Sequence, residues 1–219
     1  MKILSIDFQH DFSRQGGRFY KSRESVDFLD RELLPFLRTR NETIAEIISD
    51  YRLPRPLEKE PYCVPGTWGY ESEIPADLVR GRRWIKAMNS PSWTRPHAGD
   101  PRHSPQDPYC ASAEFGEWLT ETIGPPDAGN KIVLIGLTLD CCVLATAMEL
   151  YHRGYRAYYL AEAVDTYKGT QEEKEFLLFR TPLTMWGSVI RWSECVSAPA
   201  RIEASSHANA APIFSQKMA

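Results

Sequence analysis

The 219-residue chain has no long apolar run and no excess of either charge. No stretch approaches the roughly 18–20 consecutive apolar residues that cross a bilayer, so a membrane-spanning helix is excluded. The 26 lysines and arginines stand against 29 aspartates and glutamates, a net charge of −3. That balance leaves no electrostatic footprint for nucleic acid or for an anionic membrane surface. Cysteine is sparse too. Cys63, Cys110, Cys141, Cys142 and Cys195 are odd in number and irregularly spaced, so they build neither a disulfide framework nor a CxxC metal pattern. The opening MKILSIDFQ lacks the apolar stretch and small-residue cleavage site of a secretory signal. Together these absences predict a cytoplasmic protein whose thiols are free, most of them small buried hydrophobes.

What is present is an ordinary globular composition, 42% hydrophobic and 25% charged, in a length that suits one domain. KILSID (2–7), RRWIKAM (82–88), KIVLIGL (131–137), RAYYLAEAV (156–164) and SVIRWSECV (188–196) read as strands. ETIAEIISDY (42–51) fits helix or strand. Residues 24–38, 114–123, 142–154 and 170–180 carry helical spacing, with Pro35 a blemish in the first and Gly154 a C-terminal cap of the third. Strands alternating with helices predict an α/β fold, a single-domain Rossmann-like parallel sheet of about six strands with helices on both faces. The Pro- and Gly-rich 52–81 and the excursion 89–110 read as long loops, the latter of a length usually reserved for functional lids or disorder. The tail 197–219 has no periodicity and is expected to be mobile, leaving 1–196 as the domain.

In open parallel sheets ligands bind beyond the carboxyl ends of the strands. Three reactive side chains fall at such ends: Asp7, Lys86 and Cys142. A thiol at a helix N-terminus feels the positive end of the dipole, and the free N–H groups there can hold an oxyanion. A carboxylate could take the thiol proton, and a lysine could keep that carboxylate ionised. Each residue has a plainer reading as well: Asp7 as a turn residue, Lys86 as a solvated lysine, Cys142 as a buried hydrophobe.

In this order along an α/β chain, the motifs resemble the isochorismatase-like cysteine hydrolase family of nicotinamidases, N-carbamoylsarcosine amidases and isochorismatases. IDFQHDF (6–12) is similar to its opening D-x-Q-x-D-F segment, CVPGTWGYE (63–71) to its C-x-x-G-T-x-G-x-E loop, and WIKAMNSPSW (84–93) to its lysine segment. GLTLDCCVLATAMEL (136–150) resembles G-x-x-x-D-x-C-V-x-x-T-A. The resemblance implies the isochorismatase-type sheet, Asp7 as general base, Lys86 beside it and Cys142 as nucleophile. It further implies an oxyanion hole from the backbone N–H groups of Thr138 and Cys142, after a cis Leu137–Thr138 peptide. Phe12, Trp68 and Trp93 become candidate pocket aromatics, and Cys141 is expected to turn aside as an inert neighbour.

The departures concern metal. Family nicotinamidases hold one through a D-x-H segment and a histidine ahead of the C-x-x-G-T loop; here Asp50-Tyr51-Arg52 and Tyr62 occupy those places. No metal and no cofactor is expected. His97 and His103 read as solvent-exposed polar residues. The resulting expectation is a metal-independent, cysteine-dependent hydrolase that cleaves a C–N bond of a small amide, carbamoyl or imide substrate, working as a homo-oligomeric dimer or tetramer. A vinyl ether hydrolase of the isochorismatase type and a non-enzymatic ligand-binding or scaffold domain are the competing readings.

Overall fold

The computed structural model describes residues 2–55, 58–127 and 131–197. Strand β1 (Lys2–Ile6) is buried along nearly its whole length, as an apolar run demands when helices cover both faces of a sheet. It pairs in parallel with β2 (Ala45–Ser49) on one side and with β6 (Lys131–Leu137) on the other. With β3 (Trp84–Lys86), β7 (Arg156–Asp165) and β8 (Ser188–Ile190) they form one six-stranded parallel sheet, ordered β3-β2-β1-β6-β7-β8. The chain therefore runs outward from β1 to β3 and returns to β6 beside β1. That reversal opens a crevice beyond the carboxyl ends of β1 and β6.

Alternation within the strands sorts the core into two layers. Leu4, Ile6, Ile132 and Leu134 face Phe115 and Trp118 of α4 (Ser112–Thr122) and Ala147 and Leu150 of α5 (Leu144–His152). Ile3, Val133 and Ile135 face Val26, Leu29, Leu33 and Leu37 on the opposite side. Each such side chain, fully buried, contributes on the order of 1.5–3 kcal/mol. Gly136 is required where β6 passes β1, because its φ is +132° and an added Cβ would lie 1.9 Å from the Ile6 carbonyl oxygen.

Residues 24–40 form one helical run: α2 (Glu24–Phe28), a π-helical turn at Leu29–Leu33, and α3 (Leu34–Arg40). The widened turn precedes Pro35, whose missing N–H then falls at the start of α3 rather than breaking the helix. A left-handed Asn41 ends the run. The ambiguous 42–51 stretch resolves to strand β2, and α6 (Gln171–Leu178) starts from Thr170, whose side chain accepts the Glu173 N–H.

Two expectations need correction. SVIRWSECV is a strand only through Ile190; α8 (Trp192–Ser197) follows it, after a short α7 (Leu183–Trp186) that the sequence pattern does not signal. Glu194 accepts the Arg191 N–H at 2.7 Å and Glu162 accepts that of Trp192 at 3.0 Å, which turns the chain out of the sheet. Trp192 then packs against Phe28 and Phe36. The excursion 89–110 is a built structure: β4 (Trp93–Thr94) and β5 (Tyr109–Cys110) form an antiparallel pair. The expected tail beyond Ser197 lies outside the described residues. Among those residues no helix is long and apolar enough to cross a membrane.

Candidate functional site

Four strand ends meet at the crevice. Asp7 follows β1 in a left-handed conformation (φ 53°), which aspartate tolerates better than most residues. Ser49 ends β2, Lys86 ends β3, and Cys142 sits in a π-helical turn (Leu139–Val143) between β6 and α5. Asp7, Ser49 and Lys86 are fully buried, and Cys142 is buried at the cavity floor. Lys86 Nζ lies 2.8 Å from Asp7 Oδ2, and it donates to Ser49 Oγ at 2.8 Å, Tyr51 OH at 2.6 Å and Cys142 Sγ at 3.3 Å. Ser49 Oγ in turn donates to Asp7 Oδ1 at 2.8 Å.

Burying two opposite charges costs several kcal/mol per ion, so this pair is weak as a stabiliser and informative as a site. Burial raises the Asp7 carboxyl to about 7, even with the Lys86 ammonium pulling it down. The Lys86 ammonium is held well above its ordinary range; burial opposes the charge most strongly, but Asp7, Cys142 and Tyr51 together outweigh it. The two neighbouring thiols act on each other: interaction with Cys142 lowers Cys141 to about 7, and the same interaction together with burial pushes Cys142 above the ordinary thiol range while Lys86 pulls it back.

Cys141 therefore departs from its expected role. It is half-buried and lines the same cavity as Cys142. The cavity is about 640 Å³, walled by Phe12, Phe19, Tyr62 and Tyr167 and by the paired charges Arg55–Glu58 and Arg18–Glu60. Thr138 lines it also, and the Leu137–Thr138 peptide is cis. The Thr138 carbonyl accepts the N–H groups of Cys141 and Val143, at 3.1 Å each.

Of the candidate aromatics, Phe12 is in this wall and the other two are not. Trp68 lies tilted against His10 (centroids 4.9 Å apart) and is exposed. Trp93 lines smaller neighbouring cavities with Arg55 and Met88. Aromatic type alone could not separate these three residues; position relative to the strand ends does.

Sequence reasoning missed Ser49, Tyr51, Asn89, Arg55 and Arg23. Tyr51 OH reaches the Met88 carbonyl at 3.1 Å, and Asn89 Oδ1 lies 3.8 Å from Cys142 Sγ. Arg55 covers the Tyr51 ring at 4.2 Å and donates to Asn89 and Tyr62. Arg23 is buried and donates to the backbone carbonyls of Phe12, Phe19, Thr166 and Tyr167. The one available signal was the two-residue spacing of Ser49, at the end of β2, and Tyr51 just beyond it.

Asp50 is fully buried, with both carboxylate oxygens taken by Arg52 at 2.9 and 2.7 Å and Oδ2 also accepting the Gly99 N–H at 2.8 Å. The rest of the Arg52 guanidinium donates to the carbonyls of His97, Asp100 and His103. Tyr62 OH donates to Glu58 at 2.7 Å. Among the described residues no group of three His, Cys, Asp or Glu side chains is arranged to hold a metal ion. His97 and His103 are exposed and stack on one another, 3.9 Å between centroids.

The isochorismatase domain model matches residues 109–193. Comparison with curated proteins yields no match. Among solved structures, an isochorismatase-like hydrolase from Alkaliphilus metalliredigens aligns over 90% of this chain and 97% of its own, at 20% identity and TM-score 0.60. The pyrazinamidase of Pyrococcus horikoshii, solved in complex with zinc, aligns over 87% and 98%, at 19% identity and TM-score 0.56. N-carbamoylsarcosine amidase from Thermoplasma acidophilum aligns over 87% and 96%, at 18% identity and TM-score 0.55. The isochorismatase domain model thus covers residues 109–193, and over 90% of its length the chain is similar in fold to an isochorismatase-like hydrolase.

Proposed function

We propose that this protein is a metal-independent cysteine hydrolase that cleaves the C–N bond of a small amide, carbamoyl or imide compound. The observation that carries the reading is the contact of one buried ammonium, Lys86, with both the Asp7 carboxylate and the Cys142 thiol. Cys142 Sγ attacks the substrate carbonyl carbon while its proton passes to Asp7. The N–H groups of Thr138 and Cys142 hold the oxyanion. Asp7 returns the proton to the leaving nitrogen, which departs as ammonia, an amine or, from an imide, an amide, and leaves a thioester (a thiocarbamate from a carbamoyl substrate). Asp7 then takes a proton from water, whose oxygen attacks the thioester and releases the acid and the thiol. Asp7, raised to about 7, is matched to a base that must both accept and return a proton near neutrality.

Metal independence is supported by the chemistry at Asp50, where a permanent cation with no lone pair to offer already fills the carboxylate's bonds. A cytoplasmic location is supported by five free cysteines, which a reducing compartment keeps as thiols. Assembly as a homo-oligomer is supported by Tyr151, Phe176, Phe179 and Met185, all more than half exposed. Light scattering at micromolar concentration reads the mass directly, and a monomer near 25.0 kDa would reject assembly.

The deciding experiment is a screen for ammonia release from carboxamides and carbamoyl amino acids and for ring-opened half-amide from cyclic imides, run beside Cys142→Ala. Release by the wild type alone supports the reading. Turnover that survives loss of the thiol sinks it.

A further inference from the structure

Among the described residues three arginines have side chains that are almost wholly buried, and two of them are saturated. Arg23 meets four carbonyls, and Arg52 meets Asp50 and three carbonyls. Arg95 is different. It is 2% exposed, its Nη1 donates to the Gln106 carbonyl at 3.0 Å, and its Nε has no partner. Among the described residues it forms no ion pair; Asp50 is taken by Arg52. A guanidinium carries five donors and never loses its charge, so a buried one with a single bond is strongly under-satisfied. Burial is accordingly the main influence on it, disfavouring the charged form.

Arg95 lines a cavity of about 270 Å³ that it shares with Arg55, Trp93, Met88, Pro54 and Asp107. Ligand sites are characteristically apolar walls with a few convergent polar groups, and this cavity is small enough for one group rather than a whole ligand. It is not isolated. An adjoining cavity also borders Arg55, Met88 and Trp93 and includes Asn89, whose Oδ1 lies 3.8 Å from Cys142 Sγ; Arg55 borders the cavity at Cys142 as well.

We propose that the Arg95 cavity is an anion subsite that takes a carboxylate on a short chain or single ring. A planar carboxylate meets the guanidinium fork through paired N–H···O bonds, and Trp93 offers a flat apolar face to the group that carries it. The carboxylate is either borne by the substrate, at the end remote from the scissile amide, or supplied by a free acid. The first source rests on the amidohydrolase reading; the subsite itself does not. Asp107, exposed at the same cavity, is the competing negative group and sets a bias against anions that its removal relieves.

The test is a calorimetric titration of the intact protein with benzoate at fixed ionic strength, beside the uncharged benzamide. Arg95→Gln is expected to weaken benzoate binding at least tenfold and to leave benzamide unchanged, whereas Asp107→Asn tightens benzoate a few-fold. Benzoate changes the Trp93 emission, and the change is absent in Trp93→Phe. In anion-free buffer Arg95→Gln melts at or above the wild-type temperature, because it removes an unpaired buried cation. Benzoate binding equal in wild type and Arg95→Gln, or an Arg95→Gln protein that melts lower, would overturn the proposal. The source is read from succinamate and its neutral counterpart butanamide. A substrate-borne carboxylate makes Arg95→Gln raise KM for succinamate alone. A free acid instead leaves both KM values unchanged by that substitution, while benzoate still binds. If neither amide is hydrolysed, the amidohydrolase reading fails for these substrates and the titration still decides the subsite.

Discussion

Arg52 grips the buried Asp50 carboxylate with two parallel N–H···O bonds, of 2.9 and 2.7 Å, and extends its remaining donors to the 97–103 segment. The pair is therefore a staple between the end of β2 and the excursion. Arg52→Ala leaves a carboxylate buried without its partner, which costs about 3–5 kcal/mol. The expected result is a clear fall in melting temperature, with new proteolytic cleavage within 97–104. A variant that melts like the wild type would show that the staple carries no load.

The same pair makes a prediction about metal. Elemental analysis of purified protein is expected to find no stoichiometric zinc, iron or manganese, and prolonged chelation should leave turnover unchanged. One metal per chain, lost together with activity, would contradict the assignment of Arg52 as the permanent partner of Asp50.

The pH dependence follows from Asp7. The base must be ionised to accept the thiol proton, and its carboxyl is raised to about 7. Thus kcat/KM should climb with pH through that value and level off above it. Lys86 holds the carboxyl down, so Lys86→Met moves the rising limb to higher pH and lowers the plateau at least about 100-fold. A limb near 4 in the wild type would show that burial does not raise the Asp7 carboxyl.

The paired thiols give a prediction that differs from the sequence expectation of an inert Cys141. Cys142→Ala should lose essentially all turnover, and Cys141→Ala should keep most of it. Near neutral pH, however, iodoacetamide should modify Cys141 as well, because interaction with the neighbouring Cys142 thiol lowers it to about 7. Removing that neighbour in Cys142→Ala should slow Cys141 labelling about tenfold or more. Peptide mapping that finds Cys141 equally reactive in both proteins would reject Cys142 as the cause.

Asp7, Lys86 and Cys142 were legible because each ends a recognisable apolar strand or opens a helix, and parallel-sheet topology alone brings such ends together. Ser49 ends, and Tyr51 follows, the one strand whose pattern also fits a helix, so their facing stayed undetermined until β2 paired with β1. Arg55 and Arg95 sit in loops, where no periodicity says which way a side chain points. The end of the final strand was misplaced for a related reason. WSECV places its apolar residues at i, i+3 and i+4, a spacing that suits α8, but it is too short to stand out behind the apolar SVI; the Glu162 and Glu194 carboxylates, one of them 30 positions away, redirect the backbone there.

Arg23 ties together segments carrying Phe12, Phe19 and Tyr167, and all of its bonds go to main-chain oxygens. The frame of the aromatic wall is consequently indifferent to which side chains that frame displays. Lineages of this protein can exchange Phe12, Phe19 or Tyr167 and so redraw substrate preference, with the scaffold beneath undisturbed. Exchange of Arg23 itself would release three pieces of wall at once, so drift in specificity should run through the displayed residues while the arginine stays.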